Sequence, residues 1–242
     1  MFSTIWHTIF FDPVYNTLVF FIDIFPKGDV GLAMIATILV VKMILLPLSI
    51  RAVQTQKVMK EIEPKLKEIK EKYKEDKQKQ AEAMMGIYRE AGMNPFASIF
   101  LIFLQIPIIV ALYLSVYSGG GVALPEINTS LLYSFIASPA DATMIFLGMI
   151  DITGRSILLA LGAGITQYFH IKLTMPKLPP KDPKAEPSMK DDFMRNMQLQ
   201  MRYLMPIFIF FIAYTISAAI ALYFLVSNLV TIAQEYFIRK HR

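Results

Sequence analysis

Four apolar stretches of this chain are long enough to cross a bilayer, and two of the three segments between them are rich in charge. They are residues 30–50, 96–117 and 155–173, followed by one run at 203–238. About 20 apolar residues cross a ~30 Å hydrocarbon core. The last run is too long for one crossing, yet no strong Gly or Pro turn divides it. Residues 1–29 are also apolar, but His7, Asp12, Pro13, Asn16 and Asp23 interrupt them. That pattern predicts a helix lying in the membrane interface rather than a span.

Two polar segments carry periodicity of their own. In residues 56–92, Ile62, Leu66, Ile69 and Tyr73 recur at spacings of four, three and four, a narrow apolar stripe. Glu61–Lys65, Glu63–Lys67 and Glu68–Lys72 are i,i+4 pairs in the favoured order. A turn near Asp76 and a second stripe through Ala81, Met84, Met85 and Tyr88 predict a two-helix hairpin outside the bilayer. The segment is far longer than a connector between neighbouring spans needs to be. Residues 174–188 hold five prolines and predict a flexible loop, within a polar segment 174–200. From residue 188 a Met-rich helical pattern resumes, and Gly119–Gly121 reads as a turn.

Charge divides the long run. Of 24 Lys and Arg, 11 lie in residues 51–92, seven in 172–202 and three in the RKHR tail at 239–242. Residues 1–30 and 118–155 hold one each, Lys27 and Arg155. Basic loops stay cytoplasmic, so the segment before 203 and the tail lie on one side, with an even number of crossings between them. The run is therefore two spans, about 202–216 and 218–238, hinged near Ser217. The sequence thus predicts an all-α polytopic membrane protein with five spans. Its N-terminus is outside, its C-terminus and hairpin are cytoplasmic, and residues 30–238 form the core. A hydrophobic share of 55% against 18% charged residues agrees with this class. The net charge of +5 is accounted for by orientation and does not call for nucleic acid. With no cysteine, disulfides and the usual zinc and iron–sulfur sites are excluded. The N-terminus has no basic start or small-residue cleavage site, so no removable signal is expected.

Within this frame the candidate chemistry is one residue. Lys42 is the only charge in GLAMIATILVVKMILLPLSI, and a charge near the bilayer centre costs at least ~3 kcal/mol. It has no polar partner within its own span, and Pro47 removes the helix bond to the Met43 carbonyl. Snorkelling would carry the ammonium to the headgroups. However, helical side chains lean toward the helix N-terminus, here the external end, so Lys42 leans toward mid-membrane. The other polar groups inside spans are Gln105, Gln167, Ser227, Asn228, Thr231 and Gln234. Singly each is interhelical glue; with Lys42 they can line a hydrophilic groove. No acidic residue lies mid-span, which argues against an ion-coupled transporter. His7, His170 and His241 are scattered, and there is no nucleotide loop or nucleophile elbow, so neither enzyme activity nor a cofactor or metal is expected.

The same residues resemble the YidC family of membrane protein insertases, whose mitochondrial and chloroplast relatives share a five-span core. The resemblance runs over nearly the whole chain. It is carried by GLAMIATILVVKMILLPLSI, MKEIEPKLKEIKEKY, MMGIYREAGMNPFASIFLIFLQIPIIVALY and ALYFLVSNLVTIAQEYFI. Two positions depart from the family. Lys42 stands where bacterial members usually have an arginine, which loses the planar donor fork. Ser217-Ala218-Ala219 replaces a usual Pro-Ser-Gly. The chain looks like the minimal form, without a large extracytoplasmic domain. The resemblance implies a positively charged groove, open to cytoplasm and lipid, that receives client chains and releases them into the bilayer. It implies that the hairpin, with Lys60, Pro64, Lys65 and Tyr88, guides clients. It also implies contacts with nascent membrane proteins, ribosomes and the Sec translocon in a bacterial plasma membrane. The competing readings are a small-solute or anion transporter using Lys42 as its site, and an assembly chaperone that inserts nothing.

Overall fold

The computed structural model describes residues 2–92, 97–118, 121–175 and 189–240. Gly119 and Gly120 of the expected turn, residues 176–188 of the proline-rich loop and the last two residues of the tail lie outside these. The chain divides into two compact units, residues 1–43 with 107–242, and residues 44–106.

The first unit begins with α1 (Phe2–Trp6), which passes through a wide π-type turn at His7–Phe11 into α2 (Asp12–Ile24). The residues expected to interrupt this segment do not break it. Asp12 and Pro13 occupy the first turn of α2, where a missing N–H costs little and a carboxylate suits the helix dipole. Asn16 is wholly buried. Its amide donates to the Asp12 and Leu131 carbonyls (2.8 and 2.9 Å) and its oxygen accepts from the Tyr133 N–H (2.7 Å). Val14, Tyr15, Leu18, Val19 and Ile22 enter the main core, so α2 is docked on the bundle along one full face.

After a 3-10 turn at Pro26–Gly28, α3 (Val30–Ile44) begins with Asp29 as its cap, whose carboxylate accepts from the Leu32 N–H (3.0 Å). It stops at Ile44, because Pro47 falls in the first turn of the next helix and has no N–H to continue the ladder. α6 (Ala97–Tyr117), which enters this unit at Pro107, leads to an irregular segment ending in a small hairpin, β1 (Ile145–Phe146) and β2 (Ile150–Asp151), paired antiparallel. α7 (Ile157–Thr174), α8 (Met189–Ile216) and α9 (Ala218–Lys240) complete the unit, α7 packing on both the others. Gly162 and Gly164 make that possible: a Cβ on the first would press on Leu225, and on the second on Phe210 and the Pro206 carbonyl. α7 thus has a small-residue buried face and an opposite exposed face of Ile157, Leu158, Leu161, Ile165 and Phe169.

The break between α8 and α9 falls at Ser217. Backbone from the hairpin segment stabilises it. The Ala218 and Ala219 N–H groups, unpaired at a helix start, donate to the Gly154 and Ile152 carbonyls (2.7 and 2.9 Å). The Tyr117 hydroxyl donates to the Thr153 carbonyl at 3.0 Å. The segment around Ile152 therefore ties α6 and α9 together at one end of the bundle.

The second unit is built on α4 (Leu46–Lys72) and α5 (Lys77–Glu90), which pack on each other. Ile62 and Leu66 are buried, and Ile69 and Tyr73 half-buried. On α5 the inward face differs from the expected stripe. Gln80, Met84, Ile87 and Tyr88 turn inward, whereas Ala81 and Met85 are exposed. Gln80 sets this register: its amide donates to the Lys70 carbonyl at 3.0 Å and lies 3.4 Å from that of Tyr73. The three i,i+4 Glu–Lys pairs do not close. Among the described residues, the ion pair formed in this unit is Asp76–Lys79 at 3.3 Å. Asp76 caps α5 through the Lys79 N–H, which holds its carboxyl below the usual carboxylate range.

Among the described residues, two helices are long and apolar enough to cross a membrane, Asn196–Ile216 within α8 and Ala218–Ile238 within α9. A third crossing counts if Val30–Ile44 and Leu46–Thr55 form one broken span. Of the apolar window, 17% is buried in α8 and 50% in α9, so α9 is the inner helix and α8 the outer one.

Candidate functional site

Three helices of the first unit bring polar side chains together inside this apolar bundle. α9 supplies Ser227, Asn228, Thr231 and Gln234, at spacings of one, three and three, which keeps them on one face. α3 supplies Lys42, and α7 supplies Thr166, Gln167 and His170.

Lys42 is half-buried and reaches across to α9, where its ammonium donates to Thr231 Oγ1 at 3.1 Å. The Thr231 hydroxyl donates in turn to the Ser227 carbonyl one turn earlier (2.8 Å). Gln234, one turn further on, places its amide 3.5 Å from the Lys42 carbonyl, at the limit of a hydrogen bond. An ammonium has three donors and no acceptor, so among the described residues one is used and two stay available. Among the described residues, no carboxylate lies within salt-bridge distance of Lys42. The cation is held by a neutral hydroxyl, which fixes its position without cancelling its charge.

Behind it, Asn228 bridges α9 to α7. Its oxygen sits 3.2 Å from His170 Nδ1, and its amide lies 3.4 Å from the Ala163 carbonyl and 3.3 Å from Thr166 Oγ1. Thr166 donates to the Gly162 carbonyl (2.8 Å). Asn228 and Ser227 are buried, so they form the back of the cluster, while Thr231 and Gln234 are half-buried beside Lys42. Gln167 is half-buried on α7. Gln105 is half-buried on α6 and belongs to the second unit.

Of the hairpin residues singled out from the sequence, Pro64 and Lys65 are exposed on α4 and Tyr88 is half-buried on α5. Lys60 lies within α4, its side chain outside the described set. Thr166 and His170 are members of the cluster that sequence reasoning passed over. Their signal was present, since they lie one turn apart on α7 and share a helix face. What it lacked was the partner, Asn228, 58 residues from His170. Among the described residues, no group of three or more His, Cys, Asp or Glu is placed to hold a metal.

A mostly helical bundle with membrane-length apolar helices and, among the described residues, a half-buried lysine in a polar cluster defines an integral, multi-pass membrane protein with a polar interior site. A family model described as 60Kd inner membrane protein matches residues 21–242, and the chain belongs to that family. It is 31% identical over 242 residues to the Membrane protein insertase YidC of Oceanobacillus iheyensis, covering 98% of this chain and 84% of that protein. It is 30% identical to the Membrane protein insertase YidC 2 of Bacillus anthracis, covering 97% and 81%. The Clostridium tetani Membrane protein insertase YidC is 30% identical, over 89% of this chain and 84% of its own.

Proposed function

We propose that this protein is a membrane protein insertase in which Lys42 provides the positive charge of a hydrophilic groove. The observation that carries this is the state of Lys42, a cation positioned by Thr231 inside an apolar bundle with no carboxylate from a described residue beside it. A charge so placed is costly, and it is retained where something passes through to use it. Thr231, Gln234 and Gln167 line the groove with Lys42, and Ser227 and Asn228 support it from behind. Gln105 joins the lining on sequence grounds alone.

The proposed topology has five spans, α3 with the start of α4, α6, α7, α8 and α9, with the N-terminus outside. The polar part of a client enters the groove from the cytoplasm, and its acidic residues are drawn to Lys42. Its apolar segment moves into lipid along the exposed faces of α7 and α9. Burial of ~20 apolar residues in the bilayer supplies the driving force, so no nucleotide is required. The α4–α5 hairpin, including Lys60, Pro64, Lys65 and Tyr88, and the loop at 174–200 guide clients and contact ribosomes and the Sec translocon.

Depletion-rescue in a bacterial host tests the reading. Lys42→Arg should preserve insertion of clients with acidic translocated segments, and Lys42→Glu should reduce it. Exchanging attraction for repulsion by only ~1.4 kcal/mol already lowers capture about tenfold. Equal activity of Lys42→Glu and the native protein would overturn the role of Lys42. Solute flux without any effect on client insertion would favour a transporter instead.

A further inference from the structure

We propose that the tip of the β1–β2 hairpin, Leu147-Gly148-Met149, is a phospholipid-binding finger that dips into the headgroup layer beside the start of α3. The turn itself is the first reason. The Phe146 carbonyl accepts from the Met149 N–H at 3.0 Å across Leu147 and Gly148, both with positive φ (53° and 73°). In water such turns favour Asn-Gly or Gly-Gly, because a branched apolar side chain strains a left-handed backbone. Here the first position is leucine, 57% exposed, followed after one glycine by Met149 at 80%. The chain bears backbone strain and apolar exposure at the same two or three residues, and an apolar environment removes the second cost.

The position of the tip says which environment. The Leu147 N–H donates to the second oxygen of Asp29 (2.8 Å), the same buried carboxylate that caps α3. The Val30 N–H donates to the Thr143 carbonyl and the Thr143 N–H to the Gly28 carbonyl, at 3.1 and 2.9 Å. Phe146 turns inward and packs where Gly31 has no side chain, since a Cβ there would collide with its ring. The finger is therefore fastened to the end at which α3 starts, and Leu147 and Met149 are left outside.

That end coincides with the edge of the lipid-facing surface. The chain leaves β2 at Asp151, and by Ile157 and Leu158 it has begun the exposed apolar face of α7. Five residues, 152–156, join the hairpin to this face. The base of the hairpin stays polar: Asp151 accepts from the N–H and hydroxyl of Thr153, which hold its carboxyl below the usual range. Exposed Lys27, one residue before Gly28, adds a cation suited to lipid phosphates. Apolar tip, polar base and adjacent cation match the layered chemistry of a phospholipid interface.

The proposal rests on α7 facing lipid, and the test separates the two. The protein has no cysteine, so single cysteines at 149, 161 and 126 can each carry an environment-sensitive dye in the full-length protein reconstituted in phosphatidylcholine–phosphatidylglycerol vesicles. At 149, quenching by lipids brominated near the headgroup is expected, with iodide quenching at least about fivefold weaker than at 126, for insertion of ~5–10 Å. At 161, lipids brominated deep in the chain should quench. A label at 149 as open to iodide as at 126, with 161 quenched by lipid, overturns the finger and leaves α7 in lipid. Absence of lipid quenching at 161 overturns both. Protection of 149 from iodide and lipid alike would place a protein there and also overturns the proposal. Leu147→Asn relieves the turn, so its thermal midpoint in detergent should be equal or higher, while iodide access at 149 rises about threefold or more as the apolar anchor is lost. Unchanged shielding in that variant would assign it to something other than the tip.

Discussion

Asn16 shows how far a residue's role depends on what surrounds it. Along the sequence it looks like an interruption of an apolar helix. In the fold it is fully buried and makes three hydrogen bonds, two of them to backbone groups more than a hundred residues away. Removing it leaves the part-buried Leu131 carbonyl and Tyr133 N–H without this partner, at about 1 kcal/mol each. Asn16→Leu should therefore lower stability by roughly 2 kcal/mol, seen as a reduced thermal midpoint in detergent, despite its greater hydrophobicity. Lys42 is the opposite case. Its oddity was legible because a lone charge in an apolar run has few explanations, but Thr231 as its partner was not. A hydrogen bond across 189 residues leaves no local trace.

At the scale of elements, α5 depends on its cap. Asp76 accepts from the Lys79 N–H, and its depressed carboxyl means that the ionised form is the one stabilised in the fold. That contribution is fully present above the unfolded value near 4 and is lost as pH falls through the lower folded value. Amide protection at residues 79 and 80, corrected for intrinsic exchange, should fall as the pH drops below about 4. In Asp76→Ala it should be low at every pH. The apolar stripe of α4 was legible from its spacing, because Ile62 and Leu66 repeat at the helical period. The stripe of α5 was misread at Ala81 and Met85. Ala81, Met84 and Met85 are small or flexible and leave the helix phase underdetermined, and the Gln80 bonds to the end of α4 decide it.

At the scale of the molecule, the hairpin belongs to a unit of its own, while the core of the other unit closes over α2, α3, α7, α8 and α9 without it. Deletion of residues 60–88 should leave that core folded in detergent, with an unchanged thermal midpoint, and should reduce client insertion in a depletion-rescue assay. Full insertion by the deleted form would make the hairpin a connector. The proposed topology predicts that cysteines at 75 and 185 are labelled from the cytoplasm and one at 121 from outside. Labelling of 185 from outside would break the charge argument that divides 203–238 into two crossings.

Sequence alone determined that the chain is helical and membrane-embedded, that Lys42 is its unusual charge, and that it resembles the insertase family. These follow from local quantities: run length, helical period and the cost of a charge in hydrocarbon. The tertiary structure decided where the polar groups meet and what secures the bundle's end. Ser217-Ala218-Ala219 contains no strong helix breaker. The chain turns there because the carbonyls of Ile152 and Gly154 meet the free N–H groups at the start of α9. The irregular segment that provides them showed no period to read, since its structure is held by Asp29, Asn16 and Tyr117 from distant helices. Backbone groups satisfied by remote partners are invisible to any local pattern, and they are what fixes this end of the molecule.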